Sequence, residues 1–451
     1  MNEFIPEKYE NILRKDPGAL DSVYEVAGDN DMSDADRLYL CTFAPVLYRF
    51  TGWILDAAKK SGTERLYFCA RDAYPIFKAA EVIRDSGITV PELKYLELSR
   101  FSVREPLYGM IAREECLDQL FLRGIDITAE RVLKRAGFST EESLMILEDI
   151  DFRESLSEPL STRDLEDLRE RVEASRLFWE LLNLRSDAAR SEALVYFRTQ
   201  GLTDGAISAI VDSGWVGTMQ QSLARLLAFD DPYIKLSGYY FGLYDIPAGS
   251  SPADYHCFYF SPESRIMRKV YFCNSMFEVL CQAPFGMTEG YRNACPVYDM
   301  SMSDEEIKLA ERRTRILCEY VRVMLEKNGK EVIHPDDGME YVLLKALMAS
   351  PGMFEVNAFG DILFSDDVKE DSQIFLARKL DIKEIHRYRT IPRLLDQMIK
   401  SRKQPKESAW MEGSIARVCG EDAHAMQSEL YAYHRYRTLL YLRKTLNNRR
   451  W

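Results

Sequence analysis

The stretch AISAIVDSGWVGTMQQSLARLL, residues 206–227, decides how this chain is read. Ala206–Val211 is short, apolar and partly β-branched, the pattern of a strand buried on both faces. Gly214 and Gly217 permit tight turns and close approach of another group. From Gln220 onward the spacing is helical, with Leu223, Leu226 and Leu227 on one side. The run therefore predicts a strand, a turn and a helix. Asp212 and Ser213 fall at the strand's carboxyl end, and Gly217 and Thr218 at the helix start. Ligands of open α/β sheets bind outside the carboxyl ends of strands. A helix N-terminus offers free N–H groups and a positive dipole end to a phosphate. An ordinary strand–turn–helix with glycines in its turn satisfies the same pattern.

The same alternation recurs on both sides. Arg65–Ala70 is a strand run followed by ARDAYPIFKAAEVI, a turn and a helix, and Lys94–Ser99 is a strand run ending at Ser99–Arg100. Strand patterns return at 235–244 and 256–261. Residues 112–200 change character, becoming charged, leucine-rich and helical in period. Beyond 303 the chain is mostly helical, with Ser303 and Glu306 spaced as a capping box. The expected fold is α/β: an open, mostly parallel sheet with a helical insertion and a helical C-terminal region. The expected division is an N-terminal helical segment over 1–60, a core over 61–110 and 201–300, an insertion over 111–200, and a helical region with a basic tail over 301–451.

Composition narrows the function. The 451 residues carry a formal net charge of −13, which argues against a general nucleic-acid binder. Nine scattered cysteines form no CxxC pair, the pattern of free thiols in a reducing compartment. Five histidines show no metal-ligand spacing, so zinc is not expected. The N-terminus lacks the apolar core of a signal peptide, and Leu38–Ala58 is broken by Arg49 and Asp56. A cytoplasmic location is expected. The last 17 residues hold six Lys or Arg and no acid. Residues 435–451 suit either contact with anionic lipid at the inner face of the membrane or pairing with the protein's own acidic surface.

In a parallel sheet, Arg71–Asp72 with Tyr74, Ser99–Arg100 and Asp212–Thr218 would converge on one edge. Arginines bind phosphate oxygens bidentately, and a carboxylate accepts hydrogen bonds from sugar hydroxyls. The set suits a phosphorylated sugar, although each cluster also reads as a local ion pair or a solvated strand end. Glu278, in the apolar run FEVLCQAPFGMTEGY, is a base or an acceptor ligand on one reading and a surface residue of an amphipathic helix on another. Trp410–Ser414 reads as a substrate loop or a plain turn. Asp149-Ile-Asp151 matches a bare DxD metal pattern, within a charged helical stretch.

The motifs LYFCARDAYPI, YLELSR, IVDSGWVGTMQQSL, FEVLCQAPFGMTEGY and WMEGS occur in that order. Over about residues 35–415 the chain resembles the glycan phosphoribosyltransferase half of dual-domain ribofuranosyltransferases from bacterial polysaccharide gene clusters. RDxY and VDSGWxGT carry the resemblance most specifically. The other half of such proteins is a haloacid-dehalogenase-type phosphatase with a DxDxT-like motif, which this sequence does not contain. The resemblance implies a distantly phosphoribosyltransferase-like fold, a phosphoribosyl diphosphate (PRPP) donor and Mg²⁺. It further implies a glycan hydroxyl as acceptor, lipid-linked in one version, and a separate phosphatase to remove the 5-phosphate. Residues 206–218 are also similar to the PRPP loop of ordinary phosphoribosyltransferases. Those enzymes usually carry two adjacent acids and a longer spacer, where this chain has Asp212 and Ser213.

On that reading Arg71 or Arg100 would help pyrophosphate leave, and Asp212 would hold ribose hydroxyls or the metal. Gly214, Gly217 and Thr218 would hold the 5-phosphate, with Tyr74 and Trp215 bounding the sugar. Asp72, with Glu278 as second choice, would take the acceptor's proton. A nucleotide-sugar glycosyltransferase and a non-catalytic scaffold of a polysaccharide assembly complex are the competing expectations.

Overall fold

Five parallel strands form the centre of the protein, in the order β2-β1-β3-β4-β5. They are β1 (Arg65–Cys69), β2 (Glu92–Leu96), β3 (Ser208–Trp215), β4 (Ser237–Leu243) and β5 (Tyr255–Phe260). This is a computed structural model, and it describes residues 5–28, 32–122, 127–299, 302–329, 331–332, 334–364, 374–393 and 408–448. The inner strands are buried on both faces, which explains their nearly continuous apolar runs. In register, β1 pairs Phe68 with Val211 of β3, and β3 pairs Asp212 with Tyr240 of β4.

The strand of the opening stretch is longer than its sequence suggests. β3 runs on to Trp215, and Gly214 pairs with Gly242 and Trp215 with Leu243. The glycine that reads as a turn residue is a ladder residue. A Cβ on Gly214 would lie 2.4 Å from the Gly242 carbonyl oxygen, and its φ is +110°. The following helix begins at Thr218 with Gly217 before it, where the sequence places its start.

Helices cover both faces. On one lie α1 (Asp34–Ser61), α2 (Tyr74–Asp85), α6 (Asn274–Leu280) and α7 (Asp304–Lys327), which share an apolar core with Phe68, Val211 and Phe241. On the other lie α4 (Arg176–Thr199) and α5 (Thr218–Leu227), packed on Tyr67, Ile210 and Tyr240. Helix α3 (Arg100–Arg104) stands at the carboxyl edge. Helix α1 is long and apolar enough to cross a membrane, yet its most apolar 18-residue stretch is 94% buried inside the protein. Ser33 and Asp36 cap its start, and Ser303 and Glu306 form the expected box on α7.

Helices from Arg113 to Ala174 gather around an apolar cluster of their own, and α4 carries the chain back to the sheet. A hairpin of β6 (Thr288–Arg292) and β7 (Cys295–Tyr298), not expected from the sequence, closes over α3. Trp410–Ser414 is neither loop nor turn: Trp410 is fully buried with its indole N–H on the Met348 carbonyl, and α8 (Met411–Cys419) starts beside it. Helix α9 (Ala423–Asn448) follows. All nine cysteines are free thiols, and Cys295 is exposed.

Candidate functional site

In the order 2-1-3-4-5 the chain leaves β1 in one direction along the sheet and β3 in the other. The crevice between their carboxyl ends is therefore the topological switch point. The loop after β1 carries Arg71 and Asp72, and the end of β3 carries Asp212 to Trp215. The Ala70–Arg71 peptide bond is cis. Pro75, at the start of α2, presets the helical turn that holds this loop. Across the crevice, the Ser213 hydroxyl donates to an Asp72 carboxylate oxygen at 2.6 Å.

Alternation along β3 sends Asp212 toward the α5 face and Ser213 and Trp215 toward the α6 face. From the α6 side comes Glu278, whose Oε1 accepts the Trp215 indole N–H at 2.6 Å. Trp215 has φ +75°, a strained setting for a tryptophan. Its ring is held by Phe272 at 5.2 Å and Phe277 at 5.8 Å.

These groups form one electrostatic cluster. Burial pushes the Asp212 carboxyl up to about 8, helped by Asp72 and Glu278 and opposed by the Ser213 N–H and by Arg100. Loss of solvent pushes Glu278 up to about 7; Asp72 adds to this, while Arg100, the Trp215 N–H and Arg71 oppose it. Three carboxylates and two arginines, from β1, β3, α3 and α6, thus sense one another. Two of the acids hold a proton near neutral pH, the range in which a carboxyl group can give or take one.

The stretch expected to hold a phosphate adjoins this cluster. Gly217 precedes α5 with φ +68°, and a Cβ there would lie 2.6 Å from the Tyr255 ring. It gives the helix no side-chain cap. Thr218 accepts a hydrogen bond at 3.2 Å from Arg104, a buried arginine one turn beyond Arg100. The sequence reading missed Arg104. Its signal was the i, i+4 spacing of two arginines in SRFSVR after a strand run.

Other expected site residues serve the framework. Ser99 is not at a strand end, since β2 stops at Leu96. It caps α3, accepting the Ser102 N–H, and its hydroxyl donates to the Thr288 carbonyl at 2.7 Å, so both of its hydrogen-bonding roles are taken. Tyr74 packs edge-on against Tyr95 and Phe285. The DxD pair lies in the insertion, where Asp149 accepts from Ser175 and Asp151 from Arg153. In the basic tail, Arg437 turns inward to Glu412 and to the carbonyls of Lys269 and Phe272, whereas Arg435, Arg443 and Lys444 are exposed. Residues 449–451 lie outside the described residues. Behind the Phe272 wall opens a cavity of about 260 Å³, lined by Cys273, Glu412, Tyr433, Arg437 and Tyr441 among others.

Among the described residues no three His, Cys, Asp or Glu side chains are grouped as a ready-made metal cage. Magnesium usually takes one or two carboxylates and completes its shell with water and substrate phosphate. Asp212, an acid held in excess negative charge, fits that partial donor set. Set against known protein families and curated protein sequences, the chain matches none. Fold and site define a doubly wound α/β protein with a charged crevice at its switch point.

Proposed function

We propose that the protein is a glycan phosphoribosyltransferase that moves a 5-phosphoribosyl group from PRPP to a glycan hydroxyl in the making of a bacterial surface polysaccharide. One observation carries the reading: the convergence of Asp72, Asp212 and Glu278 with Arg71 and Arg100 at the switch point, beside the N-terminus of α5.

In the reaction, the bond between the anomeric carbon and the diphosphate oxygen breaks, and pyrophosphate leaves with that electron pair. The acceptor hydroxyl oxygen bonds to the anomeric carbon, and its proton passes to a carboxylate. Arg71 and Arg100 offset the negative charge gathering on the leaving group. Asp72 and Glu278 are the two candidates for the base. Glu278, at about 7, has the proton affinity suited to that task at neutral pH. Asp212 faces the ribose hydroxyls and is the side chain that would hold Mg²⁺; bound there, the ion would supply charge neutralisation to the diphosphate. Trp215 fixes Glu278 and walls the sugar. The exposed cations of α9 would keep the protein near a lipid-linked acceptor, and a separate phosphatase would complete the ribofuranosyl unit.

Thermal shift of the purified protein with PRPP and Mg²⁺, with UDP-sugars as controls, tests the donor. A rise with PRPP alone is expected, because a ligand that binds only the folded state stabilises it. Glu278→Gln should keep that rise and lose transfer to the glycan; loss in Asp72→Asn instead would assign the base to Asp72. A shift with UDP-sugars alone points to a nucleotide-sugar enzyme, and no shift with either donor to a scaffold.

A further inference from the structure

Helix α3 carries two arginines four residues apart, and neither forms an ion pair among the described residues. Arg100 is exposed. Arg104 is 9% exposed, and its single hydrogen bond goes from Nη2 to the Thr218 hydroxyl. A guanidinium has five donors, and a buried charge ordinarily demands a partner. Buried Arg49, by contrast, reaches Asp16 and Asp337 at 3.0 and 2.5 Å, while buried Arg313 rests on the Val279 carbonyl. Around Arg104 the neighbouring charges have the wrong sign. Burial chiefly, and the repulsion of Arg100 and Arg135, weaken its hold on its proton against a pull from Tyr108.

Among the described residues its one side-chain hydrogen-bond partner is the first residue of α5. That helix spans ten residues, starts after a glycine and has no side-chain cap. Its first N–H groups and its positive dipole end lie at the residue to which the buried guanidinium is bonded. Two independent features, an uncapped helix start and a buried cation without a counter-ion, therefore point to one missing anion.

We propose that Arg104, Thr218 and the N-terminus of α5, with Arg100 at the rim, form the seat of a phosphate monoester, and that Arg104 is the residue that makes the protein select phosphorylated sugars. This rests on the phosphoribosyl reading only for the sugar's identity; the seat stands on its own geometry. Arg104 is a binding residue with a cost: in the unliganded protein it is an unbalanced buried charge, relieved when the phosphate arrives.

That cost gives a readout that a merely structural arginine would not. The full-length protein and its Arg104→Met and Thr218→Val variants are compared by thermal denaturation, alone and with ribose, ribose 5-phosphate, inorganic phosphate or PRPP with Mg²⁺. Expected for the unmodified protein is a rise with ribose 5-phosphate and PRPP and none with ribose. Arg104→Met should melt at or above the unmodified protein when unliganded, and its affinity for ribose 5-phosphate should fall at least about 10-fold, the worth of one charge-assisted hydrogen bond. Thr218→Val should weaken the same ligand less. An Arg104→Met protein that melts lower and still responds to ribose 5-phosphate overturns the seat, as does no response of the unmodified protein to any phosphate. An Arg104-dependent response to ribose 5-phosphate or phosphate without one to PRPP keeps the seat and removes the transferase reading. An undiminished PRPP response in Arg104→Met does the reverse.

Discussion

Replacing Asp212 by asparagine should stabilise the protein, and increasingly so as the pH rises. The carboxyl ionises at 3.8 when solvated and at about 8 in the folded chain, because the fold buries it beside Asp72 and Glu278. The folded state therefore binds one more proton than the unfolded state between about pH 4 and 8. Stability from this group is fully present below the lower value and is lost as pH climbs through the upper one. Asparagine has the same shape and no charge, so it escapes the loss. The gap between variant and unmodified protein should widen by about 1.4 kcal/mol per pH unit, from about 1.5 kcal/mol at pH 5 to about 5 kcal/mol at pH 8. Unfolding entropy of about 2.1 cal/mol/K per residue turns each kcal/mol into about 1 °C for a cooperative unit of 451 residues. Melting curves at pH 5, 6, 7 and 8 should thus separate by about 1–2 °C at the acid end and about 5 °C at the other. The other carboxylates titrate in both proteins, so the difference largely isolates Asp212. A separation that stays flat with pH, or a variant that melts lower at pH 8, would refute the claim that Asp212 is a destabilised buried acid.

Two further substitutions probe the wall of the site. Trp215→Phe keeps the ring contacts but removes the N–H held by Glu278 at 2.6 Å. Without it the Glu278 proton affinity rises, and the acid limb of the kcat/KM profile should move up by about one pH unit, the worth of a hydrogen bond to a charged group. An unmoved limb would assign the base to Asp72. Gly214→Ala puts a methyl group 2.4 Å from the Gly242 carbonyl at φ +110°. It should cost at least about 2 kcal/mol, read by denaturant unfolding, and an unchanged midpoint would contradict the strand pairing at that position.

The strands and covering helices were legible because their apolar periods are strong: Leu66 to Cys69 and Ala209 to Val211 are continuous runs, and α1 and α7 announce their caps. Strand ends were not, because a glycine between polar residues signals a turn and a bulge-free ladder alike. Only the pairing of Gly214 with Gly242 decides for the ladder. Ser99 shows the same limit: a serine before an arginine reads as a polar strand end, but its hydroxyl is spent on a cap and on the Thr288 carbonyl of a hairpin far away in sequence. Asp72, Asp212 and Glu278 were legible as polar interruptions of apolar runs. Their mutual influence was not, since it depends on β1, β3 and α6 meeting at one edge. Arg104 was invisible for a related reason: its significance is that no described carboxylate pairs with it, and a sequence does not show pairings across the fold.

The charges at the switch point are unbalanced in opposite senses on its two sides. Acids in excess stand toward Glu278 and Asp212, whose proton affinities rise; cations in excess stand toward Arg104, whose proton affinity falls. Had the fold been selected for stability alone, the two sets would have been joined, as Arg198 is joined to Asp230 on the surface. Arg100 touches both fields and neutralises neither, because α3, anchored by the Ser99 cap, holds Arg104 against the start of α5 and not against the acids. A ligand that relieves both excesses must be bipolar in its demands, with an anionic group at one end and hydroxyls or a bound cation at the other. A phosphorylated sugar has that form; a neutral glycoside or a bare anion would settle only half of the imbalance.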